Sequence, residues 1–341
     1  MKLYFCTLFD SYYLSRGLVL YHSLKEHCDC FQLYVYTFDS KSYQSLRELN
    51  LENAVIIDLA DFETQELLKV KPYRTSAEYC WTCSASTIWY TISQYNLDHC
   101  TYLDADIYFF SSPQSIIDEI GSSSIALAPH NFSSGLKKNV VYGKYCVHFN
   151  YFKNDSIGLA ALKWWKDECI KWCYAKWENG KYGDQKYLDF IEEKFSNVHI
   201  IRNLGAGVAP WNQNSFKFSF EGDKILVKDK KSKESNQLVF YHYQSLKFKV
   251  KDETLIINPH FLRIQDFVTK YVYTPYVVNL LIYSELTGYR KFIYNKISYN
   301  NGYHKVLFMI IKTFFKKSSI IRDLYTMYFR TKYNRPRGMK S

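Results

Sequence analysis

The chain has 341 residues, 47% of them apolar, with only 13 Gly and 7 Pro; this excludes a disordered or fibrous polymer and leaves room for one large α/β domain with an extension. The net charge of +11 is unevenly placed: 13 Lys/Arg and the single acid Asp323 lie in residues 286–341, whereas the other 285 residues hold 31 basic and 32 acidic side chains. A neutral body argues against nucleic acid as partner, and a basic, aromatic tail points to an anionic surface such as a membrane leaflet.

Strand-like and helix-like segments alternate from the start. Residues 2–7, 32–38 and 54–58 read as strands, with helices over 16–26 and around 42–49 between them. This rhythm predicts a mostly parallel sheet with helices on both faces. A long helix over 81–95, with Trp81, Ala85, Ile88, Ile92 and Tyr95 on one face, leads into an apolar strand over 100–110 broken by two aspartates. Further strands are expected at 125–129 and 145–152. A helix follows with Leu162, Trp165, Cys169 and Trp172 on its buried face, then another over 184–195. Short strands are expected at 197–201 and 238–243, a loop at 205–214 and a solvated charged stretch at 223–234. From about 258 the pattern turns helical and aromatic. In 303–317, Leu307, Ile310, Ile311 and Phe314 oppose Lys305, Lys312 and Lys316, the pattern of an interfacial helix or of a surface helix packed on the domain.

All nine Cys fall between Cys6 and Cys173. An odd number, with no signal-like opening, is expected of free thiols in the cytoplasm. Cys80-x-x-Cys83 and Cys169-x-x-x-Cys173 could be imagined as a zinc site, but both pairs lie in helix-like, Trp-flanked segments, which weighs against it. No run reaches the ~18–20 apolar residues of a membrane span.

The chemistry centres on Tyr102-Leu103-Asp104-Ala105-Asp106-Ile107-Tyr108. Two carboxylates at the end of an apolar strand face the crevice where ligands bind in parallel sheets. Two like charges placed together there call for a cation, and hard oxygen donors suit Mn²⁺ or Mg²⁺. Lone exposed turn acids would have polar neighbours instead. His242, just after a strand, can supply a neutral imidazole as third ligand. Asp184, at a helix start, reads either as a helix cap or as a site carboxylate.

In this order of motifs the sequence resembles the nucleotide-diphospho-sugar transferases of the GT-A fold, and within them the family 8 type of glycosyltransferase. The segments that carry the resemblance are Thr7-Leu8-Phe9-Asp10-Ser11-Tyr12-Tyr13, Arg74 before the long helix, Leu103-Asp104-Ala105-Asp106, Gly183-Asp184-Gln185-Lys186-Tyr187-Leu188 and Phe240-Tyr241-His242-Tyr243-Gln244-Ser245-Leu246-Lys247. It covers about residues 1–250. It implies a GT-A domain over 1–257 and transfer of a hexose from a nucleotide sugar, UDP-sugars foremost; the basic helical tail over 258–341 lies outside it and rests on the charge and the helical, aromatic pattern. It further implies that Thr7, Phe9, Asp10 and Tyr12 surround the nucleotide, while Arg74 and Lys247 offset the diphosphate. Asp104, Asp106 and His242 would hold the metal, and Asp184 and Gln185 would act at the sugar. Asn150, Trp211, Asn212 and His130 would border the sugar and acceptor pocket, Trp211 being equally well explained by core packing. A glycan or glycolipid acceptor in lipopolysaccharide or capsule synthesis, met at the inner face of the cytoplasmic membrane, completes the expectation. Two other classes stay open: a membrane-bound nucleotide-sugar-binding scaffold without turnover, and a sugar nucleotidyltransferase. The latter would carry a glycine-rich turn after its first strand, and residues 8–16 contain no glycine.

Overall fold

A computed structural model of the chain describes residues 1–251, 254–258 and 262–286. The strands in chain order are β1 (Leu3–Phe9), β2 (Phe31–Thr37), β3 (Ala54–Asp58), β4 (His99–Leu103), β5 (Ile107–Phe109), β6 (Ile125–Pro129), β7 (Tyr145–Lys153) and β8 (Val198–Ile200). All but β5 form one seven-stranded sheet, ordered β3-β2-β1-β4-β7-β6-β8. Only β7 runs against its neighbours. The helices are α1 (Leu14–His27), α2 (Ser40–Leu49), α3 (Leu59–Phe62), α4 (Gln65–Val70), α5 (Ser76–Tyr95), α6 (Gln114–Ile120), α7 (Ser156–Lys171) and α8 (Leu188–Lys194). The mixed α/β architecture with a mostly parallel sheet, expected from the alternation, is the one observed.

The two-residue period of the strands divides the interior into two layers. Leu3 and Phe5 of β1, with Leu33 and Val35 of β2, face α1, whereas Cys6, Leu8, Tyr34 and Tyr36 face α5 and α7. Helix α5 starts at a capping box in which Thr75 and Glu78 exchange side-chain and backbone hydrogen bonds, which satisfies donors the first turn would leave unpaired. It ends at Asn96 in the left-handed conformation. The indole of Trp165 on α7 is wholly buried in this layer, and truncating such a side chain costs about 3–5 kcal/mol.

The strand expected over 100–110, broken by two aspartates, is observed as two strands that belong to different sheets. After β4 the chain leaves the main sheet through Asp104-Ala105-Asp106, and β5 pairs antiparallel with β12 (Phe240–His242). The charged stretch over 223–234 is exposed at 230–234, as expected, but its first half is a strand of a three-stranded antiparallel sheet of β9 (Phe216–Glu221), β10 (Lys224–Asp229) and β11 (Ser235–Gln237). Ile225 and Val227 are buried while Lys224 and Lys228 are exposed, a strand period that the lysines mask in composition.

Beyond β12 come a hairpin of β13 (Lys247–Lys251) and β14 (Thr254–Asn258), then α9 (Asp266–Val268), a π-helical turn at Thr269–Tyr273 and α10 (Thr274–Leu286). Val268, Val272, Tyr276, Val277 and Leu280 are buried in the layer that contains α1. The ring of Tyr276 lies 3.6 Å from that of Tyr243, with 5° between their planes. Part of the segment read as a tail from 258 onward is therefore packed into the body. The helix expected over 303–317, and all of 287–341, lie outside the described residues. Among the described residues no helix is long and apolar enough to cross a membrane. All nine cysteines are free thiols.

Candidate active site

The sheet order places the chain's change of direction between β1 and β4, because β2 and β3 are added on one side of β1 and everything later on the other. Crevices open at the carboxyl ends of such strands. Here β1 ends at Phe9 before Asp10, β4 at Leu103 before Asp104, and β6 at Pro129 before His130; β7, being antiparallel, begins at this edge with Tyr145. A cavity of about 650 Å³ lies here, its walls including Asp10, Tyr13, Asp104, Asp106, Asp184 and His242.

The β5–β12 pairing brings His242 to the aspartates across 136 residues of sequence. In this ladder His242 is the partner of Ile107, and the Tyr243 amide donates to the Asp106 carbonyl at 2.9 Å. Nε2 of His242 sits 3.0 Å from Oδ1 of Asp106 and 3.6 Å from Oδ2 of Asp104. One ligand atom from each of the three residues lies within 4.8 Å of the others. Two hard carboxylates with one borderline imidazole make a donor set that fits Mn²⁺ or, less closely, Mg²⁺. Asp104 keeps 27% of its side-chain surface open, toward the cavity it lines.

Without a cation the charges respond strongly. Burial pushes the Asp104 carboxyl up to about 6, with His242 opposing and the Asp106 charge adding to the rise. Burial would also raise Asp106, but the charge and hydrogen bond of His242, helped by Arg16, hold it below the ordinary 3.8. His242 is pulled both ways: burial disfavours its cation, and Asp106 and Asp104 outweigh burial and raise it well above 6.5. A protonated His242 would offset the two carboxylates, and a metal held by these side chains would need its Nε2 deprotonated. On its other edge His242 offers Nδ1 to Nδ1 of His148, 3.2 Å away.

Asp184 precedes a 3₁₀ turn, Gln185–Tyr187, that leads into α8, and its side chain makes no capping bond there. Its carboxylate instead accepts from the Ser84 hydroxyl at 2.8 Å, while its carbonyl accepts from the Trp165 indole at 3.0 Å. Burial raises this carboxyl to about 7, the Ser84 hydrogen bond opposing and the Asp104 charge reinforcing the shift. Gln185 donates to the Tyr142 carbonyl at 3.0 Å and lines the same cavity.

Of the residues singled out in the sequence, Phe9, Asp10, Asp104, Asp106, His130, Asp184, Gln185, Trp211 and His242 meet at the cavity. Asp10 also receives the Tyr12 and Tyr13 amides at 3.0 and 3.2 Å, which turns the chain into α1. His130 is kept neutral, its ring pushed down to about 3 by burial. The others are placed elsewhere. Thr7 is buried inside β1, and Tyr12 is exposed in the turn after it. Arg74 lies with its guanidinium 3.9 Å over the Tyr174 ring. Asn150 is buried in β7, donating to the carbonyls of Cys146 and Val147 at 3.2 and 2.9 Å. Asn212 ties its own loop, donating to the carbonyls of His130 and Gly207 at 3.0 and 2.9 Å. Lys247 is exposed at the start of β13.

Tyr13 and Gln244 stand inside the segments that carry the resemblance and Trp81 on the apolar face of α5, and all three line the cavity; Cys146, Ser84 and His148 are singled out by nothing in the sequence. Tyr13, whose hydroxyl is pushed up to about 12, first by the Asp106 charge and then by burial, was inside the quoted motif after β1. His148 was inside the strand expected at 145–152; every residue from Tyr145 to Phe152 is buried, so no alternation flagged it.

Fold and site together define a mixed α/β protein with an aspartate–aspartate–histidine group at the carboxyl edge of its sheet. No family model matches the chain. The uncharacterized protein YfnD of Bacillus subtilis (strain 168) is 30% identical over 285 residues, which span 81% of this chain and 88% of YfnD. The uncharacterized protein YfnF of the same organism is 29% identical over 247 residues, 70% of this chain and 80% of YfnF. The chain belongs to the family of YfnD. Among solved structures, the galactosyltransferase LgtC in complex with donor and acceptor sugar analogues aligns with 87% of this chain and 98% of its own, at 13% identity and a TM-score of 0.46.

Proposed function

We propose that the protein is a metal-dependent glycosyltransferase that moves a sugar from a nucleotide sugar, a UDP-sugar foremost, to an acceptor hydroxyl. The observation that carries this reading is the convergence of Asp104, Asp106 and His242 on a cavity at the switch point of the sheet. Mn²⁺ or Mg²⁺ held by these three side chains would neutralise the departing diphosphate.

The chain's own residues supply the rest. Phe9, Asp10 and Tyr13, at the end of β1, frame the nucleotide. Asp184 and Gln185 hold the sugar; a carboxyl poised near neutrality can both donate to and accept from its hydroxyls. His130, uncharged, is suited to accept a hydrogen bond from the acceptor hydroxyl and not to act as an acid. Enclosure of both substrates in the cavity converts a bimolecular encounter into an aligned one.

The basic excess in 286–341 supports a membrane-bound acceptor, a lipid-linked glycan of lipopolysaccharide or capsule synthesis, reached from the cytoplasmic face. The test is release of nucleoside diphosphate from a panel of UDP-, GDP- and CMP-sugars, CMP being scored for the last, with Mn²⁺ and a lipid-linked glycan extract. Turnover of one donor that disappears with EDTA supports the reading. Tight nucleotide-sugar binding with no turnover of any donor would replace it with the scaffold.

A further inference from the structure

His242 can ligate a metal through Nε2 only if the proton of its neutral ring sits on Nδ1. Metal-bound histidines have this second N–H fixed by an acceptor, most often a carboxylate, a carbonyl or water. Here the Nδ1 of His242 faces another imidazole, with Nδ1 of His148 3.2 Å away. His148 is wholly buried. Its ring lies nearly parallel to Trp211, at 6.3 Å and 12°, and edge-on to Phe240 at 5.3 Å. Its far edge meets the backbone of Gly207, where a Cβ would come within 2.6 Å of Nε2. Gly207 has φ +80° and no side chain, which permits this approach. The ring therefore has one face to Trp211, one edge to bare backbone and its Nδ1 to His242.

We infer that His148 is a positioning residue of the metal site: as the Nε2–H tautomer, its Nε2 buried without a hydrogen-bond partner, it accepts the Nδ1–H of His242 and thereby fixes the Nε2 lone pair of His242 toward Asp104 and Asp106. The inference rests on the metal-site reading given above. Nε2 of His242 lies 3.0 Å from Oδ1 of Asp106. An ion held at that Nε2 would leave the Nδ1–H and its acceptor in place, so no ring would have to flip. His148 does not line the cavity, and in this role it acts only through His242.

The experiment measures Mn²⁺ affinity in the presence of UDP, by electron paramagnetic resonance of free Mn²⁺, in wild type and three variants. In His148→Asn the side-chain oxygen can take the place of Nδ1. In His148→Gln the polar end reaches the Nε2 position and leaves Nδ1 vacant, and in His148→Leu no acceptor remains. The expected result is a roughly 10- to 100-fold weakening in the Gln and Leu variants, with the Asn variant within a few-fold of wild type. Equal affinity in all folded variants would overturn the inference, as would an Asn variant as weak as Gln. If the Leu variant fails to fold, the Asn–Gln comparison decides. Absence of Mn²⁺ binding by wild type would remove the metal site, and this role with it, whereas binding that Asp106→Asn abolishes and His148→Gln does not would remove only the role of His148. Nitrogen-15 spectra of the Mg²⁺-loaded protein give a second readout: His148 should carry its proton on Nε2, and a proton on Nδ1 contradicts the assignment.

Discussion

Replacing Asp184 by Asn should stabilise the metal-free protein at pH 8 and leave it nearly unchanged near pH 4. The carboxyl is buried, and burial moves it from 3.8 to about 7. A raised carboxyl favours the fold fully below 3.8, where both states are protonated; the advantage is lost as pH climbs toward 7, because the unfolded chain ionises first. A displacement of this size corresponds to about 4 kcal/mol in full, at about 1.4 kcal/mol per unit. The amide cannot ionise and still offers an oxygen to the Ser84 hydroxyl, so the variant escapes the loss. Relaxation around the charged form reduces the difference, and about 1–4 kcal/mol is expected at pH 8. Urea unfolding in EDTA at the two pH values measures it. A difference that does not grow with pH, or an Asn variant less stable than wild type at pH 8, would refute the reasoning. The same carboxyl would then be an ordinary solvated acid, unsuited to the role proposed for it at the sugar.

Three further outcomes follow from particular contacts. Gly205→Ala should destabilise by roughly 1–3 kcal/mol or more, since its Cβ would stand 1.8 Å from the Gln237 carbonyl oxygen; the Gly205 carbonyl also anchors the Val239 and Phe240 amides just ahead of His242, so Mn²⁺ binding should weaken too. A variant with wild-type unfolding would contradict the packing described. Trp211→Ala should cost about 3–5 kcal/mol in urea unfolding, because its indole is 94% covered and donates to the His130 carbonyl at 2.8 Å; unchanged stability would mean that it serves only as a sugar platform. A protein ending at Leu286 should lose the salt-sensitive co-sedimentation with anionic vesicles expected of the full chain, and retention of that binding would exclude the basic tail as anchor.

What the sequence revealed and what it concealed divide along physical lines. The βα alternation and the Asp-x-Asp after an apolar strand were legible because period and motif are local, whereas His242, brought in by the β5–β12 pairing, was marked only by the order of motifs in the resemblance. Asp184 was legible as a helix-start acid, but not its bond to Ser84, which joins residues 100 apart through the packing of α5. Asn150 looks in sequence like a site residue, yet it lies at the irregularity where β7 shifts register against β6 and satisfies β7's own carbonyls. A buried polar side chain and a ligand-facing one look alike until the backbone's unpaired groups are known. His148 was hidden for the opposite reason, since a strand buried on both faces shows no alternation against which a histidine stands out.

The central claim is tested most directly by calorimetric titration of UDP, GDP and CMP, each with and without Mn²⁺, into wild type and Asp106→Asn. The account predicts that one nucleotide, UDP foremost, binds wild type only when Mn²⁺ is present and does not bind the folded variant. Binding that ignores both the metal and the substitution, or no binding to folded wild type under any condition, would contradict it.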